Sequence, residues 1–141
     1  MISWFRNIFT YLICAVAATG LLNWMGSPLI SDLSKNLTAI VLALLAINVQ
    51  TTAVIAVKLR DILDKSGGNA NATIEQFRLA LIEQAVLLLL ALFLQGTIGA
   101  QSFQLSNLTL SICCLFIFFA TIHIFLDTSI GLLVALFPEN T

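Results

Sequence analysis

Residues 108–137 read LTLSICCLFIFFATIHIFLDTSIGLLVALF, thirty positions without a lysine or arginine, in which His123 and Asp127 are the sole acid and imidazole. A continuous apolar run of this length reads as a helix crossing a membrane, since a span needs ~20 such residues. As one helix it would measure about 45 Å at ~1.5 Å per residue, more than a hydrocarbon core of ~30 Å requires. The surplus predicts one of two outcomes. Either the helix tilts strongly, or it breaks around Asp127-Thr128-Ser129 and Gly131 and its last turns lie along the interface. Pro138 stops it in both cases.

Three further segments repeat the pattern upstream, at 8–24, 37–57 and 79–100. Together with 108–137 they predict an all-α integral membrane bundle of four transmembrane helices, occupying the chain as a single transmembrane domain over residues 1–141. The composition agrees. Charged residues make up 9% and hydrophobic ones 60%, with a mean hydropathy of +1.04, whereas soluble domains run near ~25% charged. A water-soluble fold of 141 residues is mostly surface and could not hide so much apolar area. Lipid is the solvent in which that surface is acceptable, provided every backbone polar group is bonded within the segment, as a helix ensures.

Charge placement predicts the orientation. Arg6, Lys58, Arg60, Lys65 and Arg78 fall on the side shared by both termini and the middle connection, leaving Lys35 on the other. The positive-inside rule then puts both termini in the cytoplasm, in a plasma membrane of the bacterial inner-membrane type. Trp4 and Trp24 bracket the first span, where interfacial indoles belong. Arg6 followed by the apolar stretch 8–18 also has the form of a secretory signal, with Ala15 to Ala18 as a weak cleavage site; a retained first span is the preferred reading.

Between the second and third spans, Leu59, Ile62 and Leu63 recur at helical spacing opposite Lys58, Arg60, Asp61, Asp64 and Lys65. Ser66-Gly67-Gly68 supplies a helix stop, and Thr73 with Gln76 has the form of a capping box that starts the next helix near Ile74. The second and third helices are thus expected to extend beyond the membrane as a short cytoplasmic hairpin, 58–78. Leu59, Arg60, Ile62, Leu63, Lys65 and Arg78 are its candidates for binding a soluble cytoplasmic protein.

Ionisable groups at membrane depth cost ~2.5–3.5 kcal/mol or more at the centre, so each calls for a reason. Glu83 sits about one turn inside the third span, where pairing with Arg78 is the structural explanation. His123 and Asp127, four apart, share a helix face and can form a polar pair, proton-responsive through the imidazole. Asn48 and Thr52 put amide and hydroxyl groups near the middle of the second span; interhelical hydrogen bonding is their commoner use, a water-lined path the sharper one. Gln95, Gly96 and Gly99 read as packing. Cys14, Cys113 and Cys114 lie in apolar runs and read as small buried hydrophobes.

What is missing narrows the function classes. Six basic residues without a cluster leave no footprint for nucleic acid. Two ligand-type side chains fall short of a metal site, nothing calls for a cofactor, and no nucleophile with a supporting base suggests an enzyme. The expectation is a homo-oligomer acting as an ion channel or membrane-permeabilising effector, with Asn48, Thr52, Glu83, His123 and Asp127 along its polar path. The alternatives are a membrane anchor or sensor working through the 58–78 hairpin, or an inhibitor: the general plan of four short spans resembles that of immunity proteins against pore-forming bacteriocins, without a shared residue motif.

Overall fold

The computed structural model describes the backbone of residues 2–66, 71–99 and 106–136, and side chains within 6–57, 74–97 and 106–131. Four helices account for nearly all of it: α1 (Ile2–Trp24), α2 (Leu29–Ser66), α3 (Asn71–Gly99) and α4 (Asn107–Leu136). No strand occurs among the described residues. Each helix contains a stretch long and apolar enough to cross a membrane: Arg6–Trp24, Leu29–Val57, Ile74–Thr97 and Asn107–Gly131.

The first connection is much shorter than the interval between the expected spans. After Trp24 the chain turns through Gly26 at φ 63°, a conformation open to glycine without side-chain strain. The Ser27 amide donates to the Leu22 carbonyl at 3.1 Å and the Gly26 amide to the Asn23 carbonyl at 3.1 Å, which is the paired closure of a Schellman end. Ser27 then serves the next helix. Its hydroxyl accepts from the Leu29 amide at 3.3 Å, Pro28 occupies a first-turn position where no amide hydrogen is needed, and Asp32 lies in the first turn against the helix dipole. One helix therefore ends and another begins within four residues, and α2 starts eight residues ahead of the expected 37.

The other boundaries shift less. α3 begins at Asn71, so Thr73 stands inside the helix and not at its cap. At α4, the Ser106 hydroxyl accepts from the Thr109 amide at 3.2 Å and caps the helix. α4 then runs unbroken to Leu136, which sets aside the second of the two alternatives, a break near Asp127. Polar residues do not interrupt it because their hydroxyls fold onto the preceding turn: Thr121 donates to the Ile117 carbonyl, Thr128 to that of Ile124 and Ser129 to that of Phe125, at 2.7–2.8 Å.

α4 is the central element, packing against α1, α2 and α3. α2 and α3 also pack on each other, α1 touches α2 lightly, and α1 and α3 do not meet among the described residues. The core gathers Leu37 and Val41 of α2, Ala91 and Leu94 of α3, and Cys114 and Ile117 of α4. The outer surface also carries large apolar side chains, with Phe9, Ile13, Trp24, Val54, Leu79, Leu89 and Phe93 all exposed. Of the cysteines, Cys114 is buried as expected, Cys113 is half-buried, and Cys14 is exposed on the outer face, not buried; all three are free.

Candidate functional site

Contacts across helices set the levels of the polar residues. The Thr38 hydroxyl of α2 donates to the side-chain carbonyl of Gln95 on α3, whose amide donates to the Lys35 carbonyl at 3.1 Å. From that tie, counting along the antiparallel pair at equal rise brings Asn48 level with Gln84 and Ala85, and Thr52 level with Leu81. The core cluster of Val41, Ala91 and Cys114 then brings Thr121 of α4 to the same height as Asn48 and Gln84, and His123 to the height of Glu83, with Asp127 about one turn further toward the α3 start.

Three polar neighbourhoods result. The first is a groove between α1 and α3, floored by α4, holding Tyr11, Glu83, His123 and Asp127. The Tyr11 ring lies 5.4 Å from that of His123 and 6.2 Å from that of Phe116, centroid to centroid, and so docks α1 on α4. Asp127 lies within electrostatic range of Glu83, and both lie within that range of Tyr11. His123 and Asp127 are exposed on the isolated bundle, while Tyr11 and Glu83 are half-buried. Glu83 lies nine residues in from Ile74, and Asp127 nine residues in from Leu136.

Two pairings expected from spacing are absent here. No hydrogen bond or ion pair joins His123 to Asp127, or Glu83 to Arg78; among the described residues the one ion pair is Lys35 with Asp32, at 3.9 Å on the surface. His123 and Asp127 do share a face, but the imidazole packs at a tilt of 52° against the Tyr11 ring. No three His, Cys, Asp or Glu side chains among the described residues gather closely enough to hold a metal ion.

The second neighbourhood is internal. Asn48 is 1% exposed, Gln84 0% and Thr121 1%, so three helices contribute a polar side chain to one buried layer. Thr121 satisfies itself on its own helix, whereas the Asn48 amide nitrogen and both polar atoms of Gln84 have no hydrogen-bond partner. The Asn48 amide nitrogen is thus not the interhelical glue expected at this depth; that role falls to Gln95, nearer the α2 start.

The third is a cleft of 580 Å³ between α2 and α3, lined by Thr52, Ala56, Phe77, Arg78, Leu81 and Ala85 among others. Ala85 follows Glu83 by two residues, about 200° around α3 at 3.6 residues per turn, so the cleft and the acid groove occupy opposite faces. The five polar-path candidates consequently divide: Glu83, His123 and Asp127 come together, Asn48 lies in the interior, and Thr52 opens to the cleft. Of the hairpin candidates, Arg78 is exposed beside the cleft, and the side chains of Leu59, Arg60, Ile62, Leu63 and Lys65 lie outside the described residues.

Sequence reasoning missed Tyr11 and Gln84. Tyr11 is the chain's only tyrosine, a polar hydroxyl five residues beyond Arg6, and that was its available signal. Gln84 stood beside Glu83 in the same apolar stretch. No family model, curated protein or solved structure matches the chain.

Proposed function

We propose that the chain spans a membrane four times with both ends in the cytoplasm, and self-associates so that the acid groove becomes a cation-conducting path. The observation that carries this reading is that Asp127 of α4 lies within electrostatic range of Glu83 of α3, on a different helix. Two carboxylates brought together do not hold helices together. In a low-dielectric setting they repel, and a cation or shared proton between them relieves that repulsion. A ring of such acids around a symmetry axis is the arrangement by which cation channels select charge.

Exposure on the isolated bundle supports self-association. His123 and Asp127 would otherwise face acyl chains at a cost of ~2.5–3.5 kcal/mol for a central charge, and a second copy or an aqueous lumen removes that cost. No catalytic role is proposed. The test is ion flux into liposomes carrying the purified protein, compared with a variant combining Glu83→Gln and Asp127→Asn. Cation-selective flux that loses its selectivity in the variant supports the reading; flux with identical selectivity in both sinks it.

A second reading draws on the length of α2, which stays helical for nine residues beyond Val57, to Ser66. Such an extension, with α3 resuming at Asn71, would present residues 58–78 to a soluble partner. Leu59, Ile62 and Leu63 replaced together by serine should then abolish partner recovery while leaving membrane insertion intact.

A further inference from the structure

Tyr11, Glu83 and Asp127 reach the acid groove from three different helices, and helix geometry decides where their ends lie. A helical side chain leans back toward the start of its own helix. α1 and α3 start at the end of the bundle where α4 finishes, so Tyr11 and Glu83 lean toward that end and Asp127 leans away from it. Glu83 stands about one turn deeper than Asp127, and the two carboxyl groups therefore approach each other between their levels. The Tyr11 ring is held between those of Phe116 and His123, at 6.2 and 5.4 Å. Its hydroxyl lies within electrostatic range of both acids. Among the described residues no basic side chain forms an ion pair with either carboxylate, which leaves both to a mobile cation.

We propose that the Tyr11 hydroxyl is the group that discriminates among cations in this groove, its oxygen facing a monovalent cation held between Glu83 and Asp127 and replacing part of the ion's water. The phenol proton goes to one of the two carboxylates, a charge-assisted hydrogen bond that leaves an oxygen lone pair for the ion. The carboxylates by themselves separate cations from anions and attract every monovalent cation. A neutral oxygen at a fixed position adds what charge lacks, because filters sort ions by the oxygens that take the place of the hydration shell. His123 and Phe116 are positioning residues here, fixing the ring that carries the oxygen. The small, strongly hydrated Na+ has more to lose from a missing oxygen than Cs+. The inference rests on the conduction reading proposed above and names which of its groups sets ion preference.

The test is the bi-ionic reversal potential of planar bilayers carrying the purified full chain, with NaCl facing CsCl, for wild type and Tyr11→Phe. Phenylalanine keeps the ring and its contacts and removes the oxygen. The permeability ratio of Na+ to Cs+ should fall about three-fold. That is less than the roughly ten-fold value of one hydrogen bond to a charged group, because Cs+ loses part of the same contact. Exclusion of chloride should stay at the wild-type level, and hydrogen exchange in α1 should keep its wild-type rate. An unchanged ratio in Tyr11→Phe, with cation-selective current persisting, overturns the inference and leaves the conduction reading standing. A shifted ratio accompanied by faster exchange in α1 also overturns it, since the packing of α1 and not the hydroxyl would then set the preference. Absence of current from wild type removes the conduction reading, and the inference with it.

Discussion

Two glutamines on α3, three turns apart, should respond to the same substitution with opposite signs. Gln95 bonds both the Thr38 hydroxyl and the Lys35 carbonyl of α2, so Gln95→Leu removes two interhelical hydrogen bonds. Such bonds contribute ~0.6–2 kcal/mol each in a membrane, and partial rescue of Thr38 by its own helix brings the expected loss to about 1–2 kcal/mol. Gln84 is fully buried and neither polar atom has a partner. A buried unsatisfied group costs ~1–3 kcal/mol, and leucine fills nearly the same volume, so no cavity opens. The helix-separated state in lipid also carries this amide and finds it partners; Gln84→Leu should therefore stabilise by roughly 0.5–1.5 kcal/mol. The assay is reversible unfolding in mixed micelles, titrating a denaturing detergent and following helix separation by energy transfer between labels on α2 and α3. A loss of stability in Gln84→Leu equal to that in Gln95→Leu would refute the reasoning, because it would require the Gln84 amide to be engaged by partners such as Asn48. A double variant with Asn48→Leu separates the cases, since two idle amides predict additive gains.

Further predictions concern charge, packing and topology. Because Asp127 lies within electrostatic range of Glu83, single neutralisation of either should deliver most of the selectivity change, and reversal potentials of Glu83→Gln, Asp127→Asn and the pair should be clearly non-additive. Tyr11→Leu removes the ring contacts with His123 and Phe116 and should weaken α1 docking by about 1 kcal/mol, read as faster hydrogen exchange in α1 with α2 and α3 unchanged. Ala91 is 0% exposed between α2 and α4, so Ala91→Leu should destabilise by ~1–3 kcal/mol in the same unfolding titration. In a cysteine-free background, single cysteines at Glu75 and Ser106 should label from opposite sides of sealed vesicles; labelling from the same side would contradict four spans.

Four helices were legible because apolar runs of this length have one low-energy form in lipid and because charges fall between them. The start of α2 was not, since residues 29–36 include Ser31, Asp32, Ser34, Lys35 and Asn36 and read as a polar connection by hydropathy. The signal was present in a different register of chemistry. Gly26-Ser27-Pro28 with Asp32 is a helix stop, a cap, a first-turn proline and a first-turn acid in succession. The continuity of α4 had a similar cause: Thr128 and Ser129 suggested a break, yet a hydroxyl in an apolar helix bonds the carbonyl four residues back and needs no interruption of the ladder.

The grouping of polar residues is a different problem, because periodicity assigns a residue to a face of its own helix and says nothing of which helix meets that face. His123 and Asp127 share one face by spacing alone, but that Glu83 comes to them, and Tyr11 with it, depends on α4 lying between α1 and α3. A simple cyclic bundle with α1 against α2 and α3 against α4 would leave α1 remote from Glu83. The packing around α4 has a consequence for how the groove could work. The same helix supplies Cys114 and Ile117 to the core and, two to three turns on, the floor of the groove, so its packed first half positions His123 and Asp127. Perturbing the core at Ala91 should then alter the groove as well as the fold, and a variant that keeps its stability while shifting selectivity would locate that coupling in α4.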